Sequence, residues 1–175
     1  GNQKWYGLSS YILRWHNNGN EIKSFSGAGL GALKYFGKPH IVWSKLTSSS
    51  ISFRYDEEDV GFDDASPAII FNENTQKNLE YILGLGNSII SKYALEFINP
   101  TMNYQIGDIK RVPIIFYENK IIELVQQNIN ISKEEWNSRE TSWNFEKLSL
   151  IDGKNLKSAY ENYCNHWRDN FVQLH

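Results

Sequence analysis

The chain has 175 residues, one cysteine and a formal charge of −2 from 18 basic and 20 acidic side chains, so it holds one domain with a sizeable core, or one domain with an appendage. Cys164 alone excludes an internal disulfide framework or a cysteine metal cage and fits a reducing cytoplasm. No run reaches the roughly 20 apolar residues of a membrane span, no signal-peptide pattern opens the chain, and His16, His40, His166 and His175 fall without metal-ligand spacing.

The predicted elements begin with a hairpin, Tyr11 to His16 and Glu21 to Phe25, around the turn signal Asn17-Asn18-Gly19. A glycine-rich loop over 27–37 follows. His40 to Leu46, Ser50 to Tyr55, Val60 to Asp63 and Ala68 to Phe71 read as strands, being rich in β-branched and aromatic residues. A long helix from about Thr75 to Ile98 carries Leu79, Ile82, Leu83, Ile90, Tyr93, Ala94 and Phe97 on one face. Gly84 and Gly86 weaken its middle, which predicts a bend or close packing there. Pro100 stops it, since proline supplies no amide donor and clashes one turn back.

The stretch Asn99-Pro-Thr-Met-Asn-Tyr-Gln-Ile-Gly-Asp-Ile-Lys-Arg-Val-Pro-Ile114 then reads as an extended polar ribbon, turned at Gly107-Asp108. Glu118 to Ile129 is amphipathic, and Ser132-Lys133-Glu134-Glu135 has the spacing of a capping box that opens a short helix. Leu156, Tyr160, Tyr163, Trp167 and Phe171 stripe a last helix from about Lys154 to Val172. These elements make an α+β domain: a mixed or antiparallel sheet, one long packed helix and a C-terminal helical part. The expected division is 1–150 for the main domain and 151–175 for a C-terminal helix, packed on that domain or on another. Trp43, Phe53, Phe62 and Phe71 are expected in the core; Trp136, Trp143 and Phe145 are expected to pin the capping-box helix. Met102 is the single methionine, and the chain reads as a piece of a larger protein.

Charge is uneven. Residues 1–55 carry Lys4, Arg14, Lys23, Lys34, Lys38, Lys45 and Arg54 against Glu21 alone, a local +6, while 56–175 carry −8. A phosphate-facing surface needs only a local positive field; lysines that merely solubilise strand edges would give the same count. The acids Asp56-Glu57-Glu58-Asp59, with Asp63 and Asp64, lack calcium-loop spacing and read as a solvated turn.

Five blocks in order carry a family resemblance. They are Trp5-Tyr6-Gly7 with Glu21-Ile-Lys-Ser-Phe25; Ile41-Val-Trp-Ser44 through Ser48-Ser-Ser50 to Phe53-Arg-Tyr55; Leu79, Ile82, Leu83, Asn87 and Ser88; the ribbon at 99–114; and Ile131-Ser-Lys133, Trp136, Ser138 and Glu140-Thr-Ser-Trp143 with Phe145. The chain resembles the target-recognition domain of BREX-type (PglX-like) adenine-specific DNA methyltransferases and, more distantly, type I and IIG restriction-modification specificity domains.

The resemblance implies double-stranded DNA as a partner, a catalytic methyltransferase domain in the same parent chain, other defence-system subunits as further partners, a cytoplasmic location, and S-adenosylmethionine as the parent's cofactor. It also implies that a motif shared by members reading different sites does not choose the sequence. Asn103 and Gln105, with Asn99, Pro100, Gly107 and Asp108, are therefore expected to organise the helix–ribbon junction. Lys34, Lys38, Lys45 and Arg54, with Lys110 and Arg111, are the expected phosphate contacts; Tyr35, His40, Ser48 and Ser49 are the candidates for base readout.

Two letter matches point to catalysis. Phe25-Ser-Gly-Ala-Gly29 has the letters of a cofactor loop, but its upstream segment is polar and residues 46–50 offer no acid for ribose. Asn99-Pro-Thr-Met102 lacks the aromatic that an Asn-Pro-Pro-aromatic motif stacks on an extruded adenine. The segment is expected to lack catalysis. The competing readings are a docking module for the catalytic domain or other subunits, and a standalone enzyme.

Overall fold

The β-branched and aromatic run His40-Ile-Val-Trp43 becomes the central strand of the sheet because both of its faces are covered, so it needs no polar alternation. A computed structural model describes residues 3–71, 76–115, 120–151 and 153–174. In it β1 (His40–Trp43) pairs antiparallel with β2 (Phe53–Asp56) on one side and β3 (Ala68–Ile69) on the other. His40 stands opposite Asp56 and Trp43 opposite Phe53; Ile41 stands opposite Ile69. Directly opposed residues share a face. One face therefore presents Ile41, Trp43, Phe53 and Tyr55, and the other His40, Val42, Arg54 and Asp56. The N-terminal segment extends the sheet at β2: Trp5 N donates to Phe53 O (2.9 Å) and Tyr55 N to Trp5 O (2.8 Å).

The first face is closed by α2 (Gln76–Asn87), whose Leu79 and Leu83 join Ile41, Trp43, Ile51 and Phe53 in the core. The expected start at Thr75 lies outside the described residues. The single helix expected through Ile98 breaks at Ser88. Its backbone is extended there, and its hydroxyl accepts from Ser91 N (3.2 Å), capping a new helix, α3 (Ile89–Ile98). The break resets the phase. Ser91 and Leu95 turn inward, while Ile90 and Phe97, expected on the buried face, are 71% and 91% exposed. The glycines give the close packing: a Cβ on Gly84 would sit 2.6 Å from Val125 Cγ2, and one on Gly86 2.8 Å from Phe53 Cδ2.

Behind α2 lies α5 (Lys120–Asn137); Glu118 lies outside the described residues. No helix opens at Ser132, which is buried inside α5. Val125, Ile129, Ser132 and Trp136 recur at helical spacing on the packed face, and that periodicity overrides the capping-box letters. Trp136 seats against Gly7, whose φ of +106° places the ring where a Cβ would be. Trp143, expected to pin this region, is exposed.

The N-terminal hairpin does not form. Asn17, Asn18 and Gly19 all have positive φ (47°, 58° and 73°). A two-residue hairpin turn uses two such residues; the third delivers the chain into α1 (Asn20–Ser24). Val60 to Asp63 is irregular as well, and Asp63 Oδ1 accepts from Ser66 N (2.8 Å) to close a turn. The ribbon is extended only to Gln105, after which α4 (Ile106–Ile109) makes one turn, so Gly107 and Asp108 are helical. Last comes α6 (Leu156–Leu174), where Ala159 is buried against Gly153 and His166 Nε2 makes a 2.8 Å contact with Glu134 Oε1 of α5. The fold is α+β.

Candidate nucleic-acid interface

Two loops distant in sequence are laced together at the end of β1. Tyr104 N donates to Lys45 O (2.8 Å), Thr47 N donates to Met102 O (3.0 Å), and Leu46 and Asn103 form an antiparallel bridge. Beneath them the buried Trp43 indole donates to Tyr104 O (3.0 Å). The loop at 44–50 and the ribbon at 99–105 thus share one base anchored in the core. Ser48, Ser49, Thr101, Met102, Asn103 and Gln105 stand exposed on it.

The ribbon is shaped by Asn99 and Asp108. Asn99 Nδ2 donates to Asn103 O (2.8 Å) and to Asp108 Oδ2 (2.7 Å), and its Oδ1 accepts from Thr101 N (2.9 Å). Asp108 Oδ2 also accepts from Gln105 N (2.9 Å), an N-terminal cap for α4. Pro100 follows the C-cap of α3 at Asn99, as expected of a helix stop. Gln105 shares in this junction as the other half of a capping box, its side chain facing the Asp108 backbone N–H, whereas among the described residues the Asn103 side chain bonds only Gln105. Both are exposed, and they bond each other, Gln105 Nε2 donating to Asn103 Oδ1 (2.7 Å). Short polar side chains next to a proline were legible as a turn signal; which of them faced inward was not.

The basic candidates separate. Lys45 belongs to the laced base, but its ammonium is tied to Asp64 (2.8 Å). Lys110 and Arg111 follow α4, exposed, with Arg111 4.0 Å from Asp108. Lys34, over the Tyr35 ring at 4.9 Å, and Lys38 precede β1 and so lie at its opposite end. Phe36 packs on Phe62 there (5.2 Å) and orients that loop.

Two candidates are corrected by burial. Arg54 is 5% exposed and His40 1% exposed, so neither reaches a phosphate or a base. Their positions follow from register, since with Asp56 they fill the second face of the sheet, where His40 Nε2 stands 3.9 Å from Asp56 Oδ2. Desolvation dominates all three. It lowers the His40 pKa against the bond to Lys38 O, lowers that of Arg54 against Asp56, and pushes Asp56 up to about 7 although Arg54 pulls it down. Sequence reasoning named Asn87 only within a family block and gave it no role; its side chain clamps β2: Phe53 N donates to its Oδ1 (3.0 Å) and its Nδ2 donates to Phe53 O (2.9 Å).

The Phe25-to-Gly29 loop follows α1 and leads into a 3-10 turn at Leu30–Tyr35, not out of a buried strand into a helix. Among the described residues no three His, Cys, Asp or Glu side chains are grouped to hold a metal, and no helix is long and apolar enough to cross a membrane.

The family of the TaqI-like C-terminal specificity domain matches residues 4–114, a span that contains the whole sheet, α2, α3, the laced loops and α4. The chain belongs to that family. As a specificity domain it is 32% identical over 173 residues to the adenine-specific methyltransferase BrxX of Escherichia coli O9:H4 (strain HS), covering 98% of this chain and 14% of that protein. It is 30% identical over 187 residues to the adenine-specific methyltransferase PglX of Lacticaseibacillus casei (strain Zhang), covering 98% of this chain and 15% of that protein. The chain thus spans about one-seventh of the length of these relatives, and α5 and α6 continue beyond the family match.

Proposed function

We propose that this specificity domain recognises the DNA target of an adenine-N6-specific methyltransferase of a BREX or restriction-modification-like phage-defence system, and is itself non-catalytic. The observation that carries the reading is the laced pair of exposed polar loops at 44–50 and 99–105, placed within the family match. Such loops on a rigid base suit base-edge contact, because phosphate contacts position a protein and groove contacts specify sequence. Within this reading Lys34, Lys38, Lys110 and Arg111 contact phosphate, and Tyr35, Ser48 and Ser49 remain the candidates for base contact. Residues 1–150 form the recognition body and 151–175 an appended helix. Double-stranded DNA and the catalytic domain of the same parent chain are the partners, and S-adenosylmethionine serves that catalytic domain.

The test is to replace residues 1–114 of the parent with those of a relative that modifies another site, then sequence the methylated bases in a host genome. The modified motif should follow the exchanged segment. An unchanged motif from a folded, active hybrid would refute recognition by this domain. A docking role is favoured by one observation, the exposed Leu156, Tyr160 and Phe171 stripe on α6. Removing that stripe should then release a subunit or the catalytic domain in co-purification while leaving the motif intact.

A further inference from the structure

We infer that the cavity between the sheet, α2, α3 and α4 is a binding site for a small uncharged molecule of two fused aromatic rings, whose ring N–H or hydroxyl bonds to Ser91. The cavity measures about 330 Å³ and is lined by Trp43 and Phe53 of the sheet, Leu95 of α3, and Ile106 and Ile109 of α4. The phase reset at Ser88 turns Ser91 and Leu95 onto it. Ile106 and Ile114, also in its lining, are 49% and 44% exposed, so the cavity opens to solvent there. It adjoins the support of the ribbon through Trp43, whose indole donates to Tyr104 O.

Ser91 distinguishes this cavity from a gap in packing. It is 1% exposed, and among the described residues its Oγ has no hydrogen-bond partner. A buried hydroxyl left unpaired is costly, and native structures keep few of them. The helix cap does not call for it, because Ser88 Oγ bonds the backbone N–H of Ser91, which alanine would supply equally. Apart from Ser91 and Lys110, which is exposed, the lining is apolar. An apolar concavity with one or two placed polar groups is the usual form of a small-molecule site, and its volume falls at the lower end of that class. An apolar cavity of about 150 Å³ holds one benzene ring, so this one has room for a fused bicyclic. A charge set beside Ser91 would lose its water without an ion partner, which favours a neutral ligand.

The experiment uses the full-length parent with Ser91→Ala and Ile109→Trp, and two probes: indole, and indene, which has the same shape without the N–H. Each is titrated against fluorine-labelled indole by NMR, and the melting temperature of every variant is recorded. The parent should prefer indole to indene by about two- to twelve-fold, the worth of one neutral hydrogen bond. Ser91→Ala should erase that preference while raising the melting temperature, since it deletes an unpaired buried hydroxyl. A merely structural serine would leave the preference untouched. Ile109→Trp should fill the cavity and abolish binding of both probes; where it fails to fold, Ser91→Ala decides alone. No binding by the parent at millimolar indole, or an indole preference kept by Ser91→Ala, overturns the inference. If the parent binds no indole and Ile109→Trp loosens this domain from the rest of the chain in limited proteolysis, the occupant is an apolar side chain of the parent, and the small-molecule site falls with it.

Discussion

Asn87→Ala tests the clamp that sets the position of β2. In the parent chain Phe53 N has Asn87 Oδ1 as its partner, whereas Phe53 O accepts from both Asn87 Nδ2 and Trp5 N. Removing the amide orphans a buried N–H, at about 1–3 kcal/mol, and deletes one of two bonds to a carbonyl that stays satisfied, at about 0.5–1.5 kcal/mol. The sum is roughly 1.5–4.5 kcal/mol, a large share of a typical total of about 5–15 kcal/mol. Urea denaturation should show the midpoint falling by about 1–2 M at unchanged slope.

Asn87→Asp sharpens the test. It retains an acceptor for Phe53 N but brings a buried carboxylate against Phe53 O, so its folded pKa must rise above the unfolded value. A carboxyl raised in the folded state stabilises least where the unfolded chain is already ionised. The Asp variant should therefore lose stability, relative to the parent, as pH rises from about 4 toward 8. An Ala variant within about 0.5 kcal/mol of the parent, the size of effect seen at surface sites, or an Asp variant tracking the parent at every pH, would refute the clamp.

Four further outcomes are expected. Gly84→Ala gains about 1 kcal/mol of helix propensity but overpacks Val125 by about 1–3 kcal/mol; calorimetry of the cycle with Val125→Ala should give a double variant less destabilised than the sum, and additivity would count against the contact. Asp56, held near pKa 7 by burial, is raised above its unfolded value, so its share of stability is present below about pH 4 and lost as pH climbs to 7. Asp56→Asn should accordingly gain on the parent across that window, by up to a few kcal/mol in denaturation midpoints, and a flat difference would refute it. Lys34→Ala with Lys38→Ala should weaken DNA binding by the parent on every sequence and flatten the log–log salt slope by about 1.8; an unchanged slope removes that loop from the interface. Labelled S-adenosylmethionine and duplex DNA should show no methyl transfer by residues 1–175, and transfer above background would overturn the non-catalytic reading.

Period and punctuation made much of the fold legible. The strand beginning at His40, the apolar face of α2 and the stop at Pro100 follow from side-chain spacing and from proline and are where the sequence placed them, although the strand expected to run to Leu46 ends at Trp43, where the chain turns into the laced loop. The misplaced elements share one cause, a local signal outvoted by packing. Ser132 has the letters of a cap, yet Ile129 and Trp136 need the helix to pass through it. Ser88 has no such flag, yet it splits a helix whose apolar period looked continuous, and Phe97 was misassigned with it. Arg54 counted as charge in a basic segment and His40 as a candidate for base readout, whereas register hides both on the second face of the sheet. At the candidate site, the residue types were legible and their facing was not. Asn99, Asn103, Gln105 and Asp108 are all polar groups, and only the hydrogen bonds separate those that hold the junction, Asn99, Asp108 and the capping Gln105, from Asn103, whose side chain does not.

The lacing of residues 45–47 to 102–104 has a consequence for how such a domain can change. The intervening tip at 48–50 hangs from a base that its own residues do not build. Lengthening a flexible loop costs only about 0.6 kcal/mol per doubling. Insertions there can alter the outline offered to DNA while Trp43, Tyr104 and the strand register keep their partners. Novelty at the tip is thereby uncoupled from the problem of folding.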